Sequence, residues 1–373
     1  MPSTSNNTSW PFFPIFILAS VLVSIIIYQL DSFDPAHYPN HELTQPLPVP
    51  ATKNGRMLQG SEFVGQGKLL GPEDILYDNE LGVIYTGTSD GWIKRVTVNE
   101  SVSDSVVTDW VNTGGRPLGL AMDTDNNGVI VADAHKGLLK ISKDGSIEVL
   151  TEEAEGKKLM FTDGVEVAKD GKIYFTDASY KYGIEDFMWD ILEGRPHGRL
   201  LSFDPITKIT KVLVDQLYFS NGITISPDQD YLVFCETPMR RCRKYYIEGE
   251  KKGRLENFIE LPAVPDNIHY DGNGHFVIAS ATEITTFWKL ALKYPIVRKI
   301  AGMALKLAGP SILVGQKNGG IFIADLDGIL ISQYTDPQLQ QITSGFTIGK
   351  YLYCGSFYLP YIIRLDLHKF SAH

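Results

Sequence analysis

Residues 165–180 read VEVAKDGKIYFTDASY, two apolar-alternating runs joined by Lys169-Asp170-Gly171. Alternation with a period of two, broken by a Gly/Asp turn, is the signature of an antiparallel strand pair with one face buried. The same unit recurs as ILYDNELGVIYTGTSDGWIKRV (75–96), LAMDTDNNGVIVADAHKGLLKI (120–141), ITISPDQDYLVFCETPMRRCRKYYI (223–247), IHYDGNGHFVIASATE (268–283) and FTIGKYLYCGSFYLPYIIRL (346–365). A spacing of about 45 residues, with four short strands per unit, is the propeller period. Six copies predict an all-β, six-bladed β-propeller over residues 61–370. Two inserts lengthen the period, one near 181–198 and one near 282–309.

Ahead of four of these units stand Gly71-Pro72-Glu73, Thr162-Asp163-Gly164, Ser220-Asn221-Gly222 and Pro265-Asp266-Asn267. In register with the repeat, Glu73, Asp163, Asn221 and Asp266 all point at the ring's centre. Three carboxylates and an amide oxygen converging on one spot suit a hard cation such as calcium, which takes oxygen ligands at about 2.3–2.6 Å. Without a cation they repel one another or hold protons. Singly, each is an ordinary turn residue.

The second insert is the one strongly helical pattern of the domain, mixing Trp288, Leu292, Ile296, Ile300 and Leu307 with Lys289, Lys293, Arg298, Lys299 and Lys306. It reads as a helical cap on the top of the propeller, or as a basic amphipathic helix lying on a membrane. Ahead of the domain, Pro11 to Leu30 is free of charge and about 30 Å long as a helix, the thickness of a bilayer's hydrocarbon core. It is expected to be an uncleaved signal anchor after a short tail (1–10), with a Pro-rich stalk (31–60) leading to the domain. The expected location is therefore the secretory pathway, endoplasmic reticulum or vacuole, with a lumenal domain. Asn99-Glu100-Ser101 is then a glycosylation sequon in a turn, and Asn6 and Asn7 sit in sequons across the anchor. Three cysteines are too few for a disulfide framework; Cys235 and Cys242 flank a strand-turn segment and either pair or remain thiols. A net charge of -10 without a Lys/Arg run argues against nucleic acid.

Gly87-Thr88-Ser89-Asp90-Gly91 matches a nucleophile elbow only as a string, because a strand and not a helix follows it. The loop from Asp123 lacks the Glu that ends an EF-hand. His135 follows a strand pattern and is a candidate general base at the channel mouth.

The strings GRPLGL, VADAHKGL, KIYFTDAS, GRLLSFDP, DQLYFSNGITISPD, PDNIHYDGNGHF and YLYCGSF resemble the strictosidine synthase-like family of plants and the animal adipocyte plasma membrane-associated proteins, from about Gly71 to Leu367. Both are similar to the calcium-dependent six-bladed hydrolases: gluconolactonases, paraoxonases and diisopropyl fluorophosphatase. The resemblance implies a calcium held by a Glu, two Asn and an Asp. These fall on Glu73, Asn221 and Asp266, with Asp163 in the place of the other Asn. It implies hydrolysis of a small-molecule ester or lactone, or a Pictet–Spengler condensation, or binding without catalysis. The condensing enzyme's catalytic Glu falls on Gln340, and a neutral amide cannot take the proton that reaction requires.

Overall fold

The computed structural model describes residues 12–39, 47–124, 127–309 and 316–373. The expected tail (1–10), with the sequons at Asn6 and Asn7, lies outside them. The chain opens with helix α1 (Phe12–Leu30), 19 residues without a charged side chain. Among the described residues no helix is long and apolar enough to cross a membrane. Residues 52–54, inside the expected stalk, are instead strand β1 (Thr52–Asn54), and β2 (Ser61–Val64) follows.

Six four-stranded antiparallel blades then surround an axis. Blade one is β3 (Leu76–Asp78), β4 (Val83–Gly87), β5 (Trp92–Thr97) and β6 (Val107–Asn112); blade two is β7 (Pro117–Met122), β8 (Gly128–Asp133), β9 (Gly137–Ser142) and β10 (Ile147–Thr151). After a small hairpin, β11 (Glu153–Ala154) with β12 (Lys157–Lys158), blade three is β13 (Thr162–Val167), β14 (Ile173–Asp177), β15 (Gly198–Asp204) and β16 (Ile209–Leu217). Blade four is β17 (Ser220–Ile225), β18 (Tyr231–Glu236), β19 (Arg241–Tyr246) and β20 (Leu255–Glu260). Blade five is β21 (Ala263–Tyr270), β22 (His275–Glu283), β23 (Gly320–Asp325) and β24 (Leu330–Thr335), with β1 added in parallel to β24. Blade six takes β25 (Ile342–Ile348), β26 (Tyr351–Ser356) and β27 (Ile362–Asp366) from the C-terminus and its outer strand, β2, from the N-terminus. Pairing the two ends of the chain in one sheet closes the ring and removes a free edge.

The apolar core is divided among the gaps between neighbouring blades. Leu120, Val129 and Val131 of blade two meet Tyr85 and Ile93 of blade one, and Phe175 and Phe203 of blade three meet Ile130 and Ala132 of blade two. The pattern continues around the ring to Val64 and Tyr353 of blade six against Ile84 and Val96 of blade one. This is why the sequence alternates: each strand buries side chains against the blade on either side. Cys235 and Cys242 are cross-strand partners of β18 and β19 and are joined as a disulfide.

A second repeat sets where the inner strands begin. Asp133, Asp177 and Glu236 end the second strands of blades two, three and four. Their carboxyl oxygens accept the N–H of Arg116 (3.0 Å), Phe161 (2.9 Å) and Tyr218 (2.8 Å), each just ahead of an inner strand. Arg199 offsets Asp177 from 2.6 Å and Arg241 offsets Glu236 from 2.5 Å. Burial still pushes these two carboxyls up, Asp177 to about 6 and Glu236 to about 7.

At the axis the inner strands touch backbone to backbone. A Cβ on Gly164 would lie 2.9 Å from the Cα of Gly222, and one on Gly222 would lie 2.3 Å from the Cα of Asn267. No flexible side chain can yield there. Gly222→Ala is therefore expected to cost about 1–3 kcal/mol through overpacking. A lowered urea midpoint at unchanged m-value checks it, and an unchanged midpoint refutes the close packing of blades four and five.

Candidate metal and substrate site

The residues picked out from the sequence meet. Glu73, Asp163, Asn221 and Asp266 line one cavity of about 50 Å³ at the end of the channel where the inner strands begin. That volume is room for a few waters or one ion. Each of the four residues is at most 9% exposed. What aims three of them is a bulge. The ladders between the first and second strands of blades three, four and five shift register between Thr162 and Val165, Ser220 and Ile223, and Pro265 and Ile268. The side chains inside those shifts are Asp163, Asn221, and Asp266 with Asn267. A bulge leaves a residue outside the ladder and re-aims its side chain, a common device beside functional sites.

The carboxyls are short of counter-charge. Glu73 Oε1 accepts from Asn267 Nδ2 at 2.9 Å, while Glu73 Oε2 is buried without a hydrogen-bond partner. Burial, then the charges of Asp266, Asp74 and Asp163, raises Glu73 well above the usual carboxylate range, and Arg116 only partly offsets this. Burial and the charges of Asp266, Asp74 and Asp177 raise Asp163 in the same way. Asp266 is pushed up to about 8 by burial, against a hydrogen bond from Asn221. Asn221 also donates from Nδ2 to Thr237 Oγ1 (3.2 Å), and its Oδ1 accepts the N–H of Gly222 (2.7 Å).

The neighbouring residue shows the contrast. Asp74 turns toward the other end of the channel, where His269 Nε2 and Ser344 Oγ each lie 2.7 Å from its Oδ1 and the N–H of Leu120 reaches Oδ2. Burial raises Asp74, but the His269 charge and these hydrogen bonds outweigh it and hold it below the usual range. Glu73 and Asp74 are one residue apart, one left as a bare acid and one fully paired.

Among the described residues no group of three or more His, Cys, Asp or Glu side chains is arranged to hold a metal ion as it stands. The site nevertheless has the donor chemistry of a hard-cation site: oxygen donors only, three of them acidic, and one buried oxygen unpartnered.

Phe161, Phe187, Phe219 and Phe357 wall the cavity. Beyond it lies a second cavity of about 70 Å³, which shares Asn221, Asp266 and Gln341 with the first. It is roofed by the two inserts. The first forms helix α2 (Phe187–Glu193); the second forms α3 (Thr286–Lys293) and α4 (Pro295–Ala308). Met188, Ile191, Trp288 and Leu292 are the apolar roof.

Two other sequence candidates lie elsewhere. His135 lines neither cavity; its Nε2 is 2.7 Å from Glu185 Oε1 on the rim. The reason is topological, since β8, the strand before it, is the second strand of its blade and not the inner one. Gln340 is exposed, and it is Gln341, held at a φ of 53°, that reaches both cavities. Either way that position carries an amide. Sequence reasoning missed Asp74, Asn267 and Gln341. The first two are direct neighbours of Glu73 and Asp266, and alternation along a strand would have sent them to the opposite face.

Comparison with known proteins supports this reading of fold and family. The strictosidine synthase family profile matches residues 163–250, and that of the strictosidine synthase-like N-terminal region matches 53–96. The Arabidopsis thaliana protein strictosidine synthase-like 6 is 55% identical over 95% of each chain. The adipocyte plasma membrane-associated protein of Rattus norvegicus is 33% identical over 84% of this chain and 87% of its own. Among solved structures, a gluconolactonase from Xanthomonas campestris superposes with a TM-score of 0.59 at 16% identity, over 87% of this chain and 99% of its own. A calcium-binding regucalcin from Agrobacterium tumefaciens gives 0.58 at 16% identity, over 84% and 95%. At that identity the two structures speak for the fold alone.

The raised carboxyls set a pH dependence. A group whose folded pKa exceeds its unfolded value binds more protons when folded, so its contribution to stability is whole below the unfolded pKa and is lost as pH rises. For Asp266 the window runs from 3.8 to about 8, and Asp177 and Glu236 act in the same direction. In chelator, the melting temperature is expected to fall as pH rises through this window. Asp266→Asn should flatten the fall without abolishing it. A wild-type melting temperature that rises from pH 5 to 8 in chelator would contradict the raised carboxyls of the site.

Proposed function

Given that the chain belongs to the strictosidine synthase-like family, we propose that it is a calcium-dependent hydrolase of a small-molecule ester or lactone. The observation that carries this is the single cavity in which three buried carboxyls and one amide from four blades meet with only Arg116 to offset them in part. Glu73, Asp163, Asn221 and Asp266 would hold calcium. When bound, the ion supplies polarisation of a carbonyl oxygen. The phenylalanine walls exclude bulk water and strengthen every charge interaction inside. Asn221, fixed by Gly222 and Thr237, orients the reacting group. Asp163, the carboxyl standing where the resemblance implies an amide, takes the proton of the attacking water. The regucalcin and gluconolactonase named above carry calcium binding and lactone chemistry in their descriptions, which agrees with this reading. A condensing role is less well supported, because Gln340 and Gln341 offer no base.

On this reading α1 is a membrane anchor and the propeller is lumenal. The disulfide fits an oxidising compartment, and the rat relative is membrane-associated by name. Asn99 is exposed in the turn after β5, on the end of the propeller opposite the cavity, and there it carries a glycan.

The chemistry is tested on the purified protein with a panel of esters and lactones, with calcium and with chelator. Calcium at a hundredfold excess over its dissociation constant should stabilise the fold by about 2.7 kcal/mol, read as a raised melting temperature. Glu73→Gln should weaken that response. Asp163→Asn should keep it while slowing hydrolysis about 10²–10⁴-fold, the usual contribution of a general base. Unchanged turnover in Asp163→Asn would remove that residue from the mechanism. Calcium stabilisation without hydrolysis of any substrate would make the protein a binding module, and neither effect would end the metal reading.

The topology has its own test. Endoglycosidase should shift the gel mobility of the wild type and not of Asn99→Gln, with the domain protected from protease in intact microsomes. Full digestion from outside would place the propeller on the other side of the membrane.

A further inference from the structure

Six large apolar side chains of the cap face away from the propeller: Phe287 (41% exposed), Leu290 (45%), Tyr294 (42%), Ile296 (53%), Ile300 (56%) and Leu307 (87%). Their spacing is helical, at i and i+3 along α3 with Tyr294 capping its end, and at i, i+4 and i+11 along α4. The opposite faces are also apolar. Trp288, Ala291 and Leu292 of α3 and Ala301, Gly302 and Leu305 of α4 are buried on the domain. A cap that only covered the cavity would need the inner set alone.

The charge of these helices departs from that of the chain. Against a net charge of -10, residues 286–308 contain five basic residues and no acidic one. Arg298 is buried and latches the cap, donating to the carbonyl oxygens of Ala291 and Leu192 at 2.8 and 3.0 Å and to that of Ala36. Lys289 and Lys293 are exposed beside the apolar set. Lys299 and Lys306 hold Asp31, the first residue after α1, through its carbonyl oxygen (3.0 Å) and its carboxylate (2.8 Å). Phe33 packs edge-on to Trp189, and a Cβ on Gly302 would lie 2.9 Å from its ring. The end of the apolar helix α1 is therefore fastened directly to α4.

We infer that the outward face of α3 and α4 docks on an anionic lipid bilayer, beside the membrane anchor proposed for α1, and that the cavity beneath admits membrane-partitioned esters or lactones. A basic, two-faced apolar helix pair beside an apolar helix end has the composition of an interfacial element. Trp288 and Leu292, on the inner side of the same helix, roof the second cavity. The two cavities together fall short of the few hundred Å³ of an ordinary ligand pocket. A substrate that reaches them passes beside the cap, whose α3 roofs the second cavity. The substrate class rests on the hydrolase reading; the docking does not.

The test uses the full chain reconstituted in phosphatidylcholine–phosphatidylserine vesicles. Cys235 and Cys242 are paired and Cys354 is buried, so Ile300→Cys presents a single reactive thiol for an environment-sensitive nitrobenzoxadiazole label. Ile206→Cys is the control, at an exposed turn on the opposite end. Labelled Ile300→Cys should emit to the blue and be quenched by spin-labelled lipid, whereas labelled Ile206→Cys should do neither. Melting temperatures equal to that of the wild type certify both folds. An Ile300 label that stays in water overturns the docking, whatever the activity. Separately, Leu290→Glu with Ile300→Glu should slow hydrolysis of a long-chain nitrophenyl ester dissolved in the vesicles about tenfold or more, and leave a water-soluble short-chain ester unchanged. Equal effects on both esters refute the membrane-delivered substrate. If neither ester is hydrolysed by the wild type, the hydrolase reading and the substrate class fail together, and the label decides the docking alone.

Discussion

Six strands have to meet around one axis, and the space they leave there is a few ångströms wide. Gly164 and Gly222 allow neighbouring inner strands to touch through their backbones. Side chains that would occupy that space must instead turn up or down the channel. The bulges at Asp163, Asn221 and Asp266 make that turn. Close packing at the axis and the convergence of acids on one cavity are thus the same constraint. A wider ring would leave the carboxyls too far apart to share a ligand, and an unbulged strand would lay them flat against the next blade.

The buried acids of this protein fall into two groups. Asp177 and Glu236 are matched by Arg199 and Arg241, and Asp74 by His269. They tie loops to strands, and the protein supplies their counter-charge. Glu73, Asp163 and Asp266 are buried too, and have no such ion-pair partner, Arg116 offsetting Glu73 only in part. Uncompensated burial is costly, and a fold that leaves three such groups together gains stability from whatever brings positive charge to them, a proton or a cation. The cap adds to this by lining the approach with aromatic and aliphatic side chains, so that the field of the carboxyls acts in a medium of low polarisability.

Much of this was legible along the chain. Alternation and turn residues gave the blades and their number, because each strand packs on both of its faces and shows it in its side-chain pattern. The four ring residues were visible because they recur at one point of the repeat. Other features had no such mark. The closure of the ring through β2 and the addition of β1 to blade five depend on short segments whose pairing partners are some 300 residues away, and neither segment has a pattern of its own. His135 looked like a channel residue because β8 reads like any other apolar strand; its rank within the blade is a property of the sheet. Gln340 is exposed and Gln341, at a positive φ, lines the cavities, a difference that two adjacent glutamines do not show in sequence.

By itself, then, the sequence determined the repeat, the identity of the acids and the apolar character of α1 and the cap, since these are written in residue type and spacing. Only the tertiary structure decided which acids are left bare. Whether a buried carboxyl is paired depends on side chains brought from other strands: Arg199 to Asp177 from the next strand of the same blade, His269 to Asp74 from another blade, and none of their kind to Glu73 Oε2. A charge's partner is set by distance in space, and distance in space is what a linear spacing does not contain.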